Sequence, residues 1–287
     1  MIPLMEIKSS LTGRRGVSLP FSDFSEPLLR GPFNGEAIFE TLSRTARERR
    51  WKHFEIRGRS VIPSGATVLA RFYGHRLALA AGADDLLART GSSVRRAIRK
   101  AEASGLSVRI ARSREAILQF YALHVRTRRK HGVPPQSKEF FLNIHKHIVE
   151  PGLGFIVVAS RESRALASAV FFNAGKIALY KFGASDERLQ QYRPNNLVMW
   201  EGIKYLAESG AKVLHLGRTS PANEGLRRFK MGWGASEETI EYFRYDTARR
   251  EWITGAPDLP RLATAVFGRL PLAVNRLVGT VVYPHLD

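Results

Sequence analysis

The order of elements between residues 106 and 245 limits what this chain can fold into more than any other feature. A strand over 106–111 leads into a helix over 114–130, with Ile117, Phe120, Tyr121, His124 and Val125 on one side. A second helix spans 137–149. Three strands then follow with no helix between them, at 154–160, 165–173 and 176–184. Pro194 opens the next helix and Gly210 closes it, the asymmetry that helix ends favour. A strand at 212–217, a short helix at 222–231 and a strand at 237–245 complete the run. This order, β-α-α-β-β-β-α-β-α-β, predicts a mixed α/β layer with an antiparallel meander at its centre. It excludes a doubly wound parallel sheet and a closed α/β barrel, both of which need a helix after each strand.

Upstream, residues 1–22 read as a hairpin with Gly13 in the turn, and 34–51 as a helix with Ile38, Phe39, Leu42 and Ala46 inward. Short strands are expected at 53–57, 66–72 and 75–80. A basic helix follows from Ser92 to Ala103, with Ser93 as its N-cap and Gly105 as its stop. Downstream, 258–287 is apolar. At 100° per residue Arg261, Arg269 and Arg276 fall within about 80° of one another, and Pro271 must break the helix. Such a segment can lie in a membrane interface or pack on the core.

Charge is the compositional outlier. The 287 residues carry a formal +19, and 91–130 alone hold eleven basic and two acidic side chains. A field of this sign favours an anionic partner, such as a tRNA backbone, a lipid pyrophosphate or an acidic membrane face. Arg95, Arg96, Arg99 and Lys100 are expected to form one such face, and Arg126, Arg128, Arg129 and Lys130 crowd the end of the next helix. There is no cysteine, which excludes disulfides, thiolate metal sites and Cys nucleophiles. The histidines have no metal spacing, and neither a P-loop nor a serine elbow is present. No segment has the ~18 apolar residues that a membrane span needs, and Glu6 and Lys8 interrupt any signal-like core. The expected location is cytoplasmic, with peripheral contact at an anionic inner membrane left open.

Several motifs fall in a recognisable order. They are RRAIRKAEASGLSV (95–108), FYALHVRTRRKHGVP (120–134), YKFGAS (180–185), PNNLVMWEGIKYLAESG (194–210), LGR (216–218) and GLRRFKMGWGA (225–235). Together they resemble the FemAB-like, Fem-type branch of GNAT acyltransferases. That branch includes the aminoacyltransferases of peptidoglycan cross-bridges and FemAB-like proteins of exopolysaccharide and exosortase systems. The resemblance runs over roughly 1–245 and is most specific over 194–235. It implies a tandem GNAT-like α/β fold: a partial, N-terminally truncated first domain over 1–90, a complete second domain over 91–250, and a helical amphipathic extension over 251–287.

The resemblance implies transfer of an acyl or aminoacyl group to an amine of a peptidoglycan or exopolysaccharide precursor, with no metal. Lys230, preceded by Phe229 in a Phe-Lys step, matches a family lysine implicated in transition-state stabilisation. A fixed cation beside a developing oxyanion can be worth ~2.7–4 kcal/mol. Arg193, Asn195 and Arg218 join Phe229 as expected substrate-binding residues, with Arg95, Arg96, Arg99 and Lys100 holding phosphate. Tyr180 and Asp186 flank a central strand and are expected, with Lys230, to be catalytic. Asp186 is a candidate proton relay, provided burial raises its pKa. The turn before Pro194 lacks the glycines of a coenzyme A pyrophosphate loop, which disfavours an acetyl-CoA donor without excluding it. The donor is therefore aminoacyl-tRNA or acyl-CoA. The alternatives are an acetyl-CoA-dependent GNAT N-acetyltransferase and a non-catalytic envelope accessory or nucleic-acid-binding protein that uses the basic surface.

Overall fold

The computed structural model describes residues 1–29, 31–79, 82–255 and 261–285, excluding the side chains of 261–264 and 284. Ala80 at the end of the expected strand 75–80, and 258–260 and 286–287 of the expected C-terminal segment, lie outside the described residues. So does the side chain of Arg261.

Among the described residues, eleven strands form one sheet. They are β1 (Met5–Ser9), β2 (Gly13–Val17), β3 (His53–Arg57), β4 (Ala70–Ala78), β5 (Ser107–Ala111), β6 (Gly154–Arg161), β7 (Arg164–Ala174), β8 (Ile177–Ser185), β9 (Val213–His215), β10 (Ser236–Asp246) and β11 (Glu251–Trp252). Their spatial order is β1-β2-β3-β10-β4-β9-β8-β7-β6-β5, with β11 also on β10. The meander β6-β7-β8 is antiparallel, whereas β8 and β9 run parallel. Strand β10 lies between β3 and β4, so residues 1–90 and the later chain share one continuous sheet.

Alternation along β6 explains its two-sided burial. Phe155, Val157 and Ala159 face α6 (Pro194–Glu208), against Met199, Ile203 and Leu206. Ile156 and Val158 face α4 (Arg114–Lys130) and α5 (Lys138–Ile144), against Ile117, Phe120 and Phe141. A strand covered on both faces reads as a continuous apolar run, which GFIVVAS is. On the N-terminal half, α1 (Gly35–Glu48) lays Phe39 and Ala46 on Phe54 of β3.

Three local expectations need correction. The strands expected at 66–72 and 75–80 are one strand, because β10 pairs with it without a break from Ala70 to Arg76, across Gly74, and β9 pairs with Arg76–Ala78 on the other side. A helix not foreseen, α2 (Ala83–Arg89), precedes α3 (Ser92–Ala103). The N-cap of α3 is Gly91 and not Ser93; the Gly91 N–H donates to the Gly232 carbonyl at 2.8 Å. The last helices are α7 (Glu224–Met231), α8 (Arg261–Arg269) and α9 (Leu272–Val282), the last two separated at Pro271.

Candidate active site

The site starts from a split in the sheet. β8 and β9 pair over only three residues, Ile177–Leu179 with Val213–His215. The chain beyond β9 then follows β4 instead: the Leu216 N–H donates to the His75 carbonyl, and Tyr73 and Thr219 form a bridge. β8 continues alone on that side to Ser185. A bulge re-aims it, because Val170 faces Phe182 and Phe171 faces Tyr180, leaving Lys181 as the extra residue. Backbone polar groups along such a fork are left for a ligand or side chains to satisfy.

Lys230 stands at this fork. It is 2% exposed, and its Nζ donates to the carbonyls of Gly217 and Arg218, each at 2.9 Å. Gly217 lies across the split from Tyr180: a Cβ on it would come 3.6 Å from the Tyr180 carbonyl oxygen. Burial lowers the Lys230 pKa to about 8, with the Asp23 carboxylate pulling the other way. The ammonium is thus fixed, largely dehydrated and still mostly charged at neutral pH. An ammonium has three donors, and the two carbonyls engage two of them.

A cleft of about 550 Å³ opens beside the fork, lined by Tyr180, Ser185, Asn195, Asn223 and Phe229, among others. The Asn195 side-chain amide donates to the Ser185 hydroxyl at 3.1 Å, tying the start of α6 to the end of β8. Tyr180 is partly buried and desolvation pushes its pKa up to about 12, so its phenol stays protonated and is available as a hydrogen-bond donor. Gly183 permits this placement: a Cβ there would fall 1.8 Å from the Tyr180 hydroxyl.

Phe229 also lines a second cleft of about 470 Å³ between α3, the start of α6 and α7. Arg96, Lys100, Arg193 and Arg228 surround it, and none of its lining residues is acidic. Arg193 occupies the left-handed region at φ 56°, the conformation a glycine supplies most cheaply, and caps α6 before Pro194. A cavity with four cations and no carboxylate suits a phosphate group.

Three expected substrate-binding residues go elsewhere. Arg95 donates to the carbonyls of Ala88 and Thr90 and closes the α2–α3 junction, and Arg99 is exposed outside this cleft. Residues i and i+4 share a helix face, so Arg96 and Lys100 meet the cleft while Arg95 and Arg99 turn about 100° away. Arg218 packs its guanidinium over Phe72 and Tyr242, 3.8 Å from Asp23, in a separate recess with Lys181 and Arg128. Only its carbonyl serves the fork.

Asp186 does not fit a proton relay. It is buried, but Arg188 binds both its oxygens, Arg164 donates at 2.6 Å and Arg126 at 3.2 Å. These hydrogen bonds, that of Arg188 foremost, hold its carboxyl far below the usual range despite burial. Asp186 joins α4, β7 and the turn 187–192 as a structural anion. Sequence reasoning missed Asp23, Lys181 and Arg228. Arg228 sat within the RRFK run, of which Arg228 and Phe229 line the cleft, Arg227 pairs with Glu237 and Lys230 turns inward.

An antiparallel meander and a fork after three paired residues define the fold; Lys230 is held at that fork and is not among the residues that line the clefts, whereas its neighbour Phe229 lines both. The chain belongs to the acetyltransferase (GNAT) domain family, whose model matches residues 88–244. Among solved structures, FemX is similar at TM-score 0.60 and 15% identity, over 83% of each chain. L-PGS from Bacillus licheniformis is similar at TM-score 0.57 and 15% identity, over 93% of this chain and 90% of that one. A tandem GNAT protein from the clavulanic acid biosynthesis pathway reaches TM-score 0.55 at 11% identity, over 85% and 76%. The fold is thus mixed α/β GNAT in a tandem arrangement. No curated protein matches the chain significantly.

Proposed function

We propose that this protein transfers an acyl or aminoacyl group to an amine of a peptidoglycan or exopolysaccharide precursor, forming an amide. The observation that carries the reading is Lys230, whose ammonium is held at the fork by the Gly217 and Arg218 carbonyls. A neutral amine attacks the donor's carbonyl carbon, the C=O electron pair moves to oxygen, and the remaining Lys230 N–H meets that oxyanion. Collapse re-forms the C=O and expels the donor's oxygen or sulfur, which takes up the proton lost by nitrogen. Tyr180 stays protonated and orients the carbonyl as a donor. Arg96, Lys100, Arg193 and Arg228 hold the phosphates of the donor or precursor. We divide the chain into a partial first GNAT-like unit over 1–90, a second over 91–250 and an extension over 251–287.

A second reading keeps the mechanism and makes the donor acetyl-CoA; the family match favours it. The glycine-free turn before Pro194 favours aminoacyl-tRNA. Titration calorimetry with acetyl-CoA and with aminoacyl-tRNA, followed by product analysis with a soluble precursor amine, separates them. Binding of one donor, weakened by Arg193→Ala with Arg228→Ala and by added salt, is expected. Binding of neither, with no amide product, overturns both readings and leaves the non-catalytic basic-surface protein.

A further inference from the structure

Helix α9 presents two contrasting faces. Its inner face is fixed: Asn275 and Gly279 are buried, and a Cβ on Gly279 would fall 2.0 Å from the Pro135 carbonyl oxygen. Arg276 lies over the Tyr121 ring of α4, and Arg128 donates to the Tyr283 hydroxyl at 2.9 Å. With that side locked, Val274, Leu277 and Val281 point outward at 43%, 66% and 58% exposure. They recur at i, i+3 and i+7, one stripe of a helix.

A second element is tied to the end of this helix. Ser9 hydrogen-bonds the His285 ring at 2.9 Å, and Arg15 donates to the His285 carbonyl at 3.0 Å. This clamps the β1–β2 hairpin tip to the end of α9. At that tip Leu11 is 71% exposed, between exposed Lys8 and Arg14. Residues 8–15 and 261–285 include six Lys or Arg and no Asp or Glu.

We infer that the outer face of α9 and the β1–β2 hairpin tip form a docking surface for an anionic lipid bilayer. Aliphatic side chains on a helix lying flat, with exposed Lys8, Arg14 and Arg269 among the described residues around them and Glu6 as the nearby carboxylate, paired with Lys8, match an interface of apolar chains beneath phosphates. A second copy of the same face brings like charge against like charge. Among the described residues no helix is long and apolar enough to cross a membrane, so the contact is peripheral. Tyr283, at the end of α9, also lines the recess with Lys181 and Arg218, so docking sets that recess beside the headgroups.

Sedimentation of the full chain with phosphatidylcholine vesicles, with and without phosphatidylglycerol, tests this. Binding is expected only where phosphatidylglycerol is present, and it falls with salt. Leu277→Glu with Val281→Glu weakens it by about tenfold or more, given what two aliphatic insertions contribute. Arg14→Glu with Arg269→Glu weakens it as well. Both pairs are exposed, so melting temperature and transfer to a soluble amine stay unchanged. No binding to phosphatidylglycerol vesicles, or full binding by the Leu277/Val281 variant, overturns the inference. So does a dimer by light scattering that this variant splits, which would assign the face to a second copy.

Discussion

Replacing Lys230 by methionine separates its catalytic use from its structural one. Lowering a lysine from 10.5 to about 8 means that keeping its ammonium in this site costs about 3 kcal/mol relative to water. Methionine removes that cost and keeps the stem's volume. It also strands the Gly217 and Arg218 carbonyls, at ~1–3 kcal/mol for each buried group left unsatisfied. The two effects oppose, so the net stability change near neutral pH is expected within about 3 kcal/mol. Turnover has no such compensation and falls by about 10²–10³. The pH dependence gives a second readout. Below pH 8 the lysine is charged in both folded and unfolded chains. Between about 8 and 10.5 the unfolded chain binds more protons, so wild-type stability rises with pH and the methionine variant's rise is smaller. Activity moves the other way: as pH passes about 8 the ammonium is lost and kcat/KM falls. Lys230→Arg stays charged, so its alkaline limb moves out of range even if its rate is lower. The assay is kcat/KM over a pH series, alongside urea unfolding. Full turnover in the methionine variant, or an alkaline limb unmoved in the arginine variant, refutes the reasoning.

Gly183→Val drives a side chain into the space of the Tyr180 hydroxyl, and should lower kcat while changing the melting temperature much less; equal activity shows that Tyr180 does not touch the reaction. His124 is buried against Gln136, and burial, reinforced by Arg128, lowers its pKa to about 3. The unfolded chain therefore takes up the proton first, so stability is complete above pH 6.5 and falls by about 1.4 kcal/mol per pH unit below it. His124→Leu should reduce that slope in urea midpoints at pH 7, 6 and 5; an unchanged slope removes His124 as the cause.

Much of the fold was legible because periodicity is local. The limits of α3 and α4, the strands of the meander and the Pro194 start of α6 followed from apolar spacing and end signals within a few residues. The Lys230 assignment rested on a short Phe-Lys step, and its inward direction could not be read from a run of cations that resembles a solvated surface. Composition by itself set the charge, the absence of thiol chemistry and the lack of a carboxylate in the last helices. Tertiary structure alone decided that β4 runs unbroken across Gly74, because the pairing responsible comes from β10, far along the chain. It also completed Asp186 as an ionised strut: Arg188, two residues on, binds it first, and Arg126 and Arg164 then approach from α4 and β7. Lys230 lies only 12 and 13 residues from the carbonyls that grip it, yet they come from the chain beyond β9 and not from its own helix. Spacing sets which face of an element a residue occupies, but a pKa depends on what another element brings against that face.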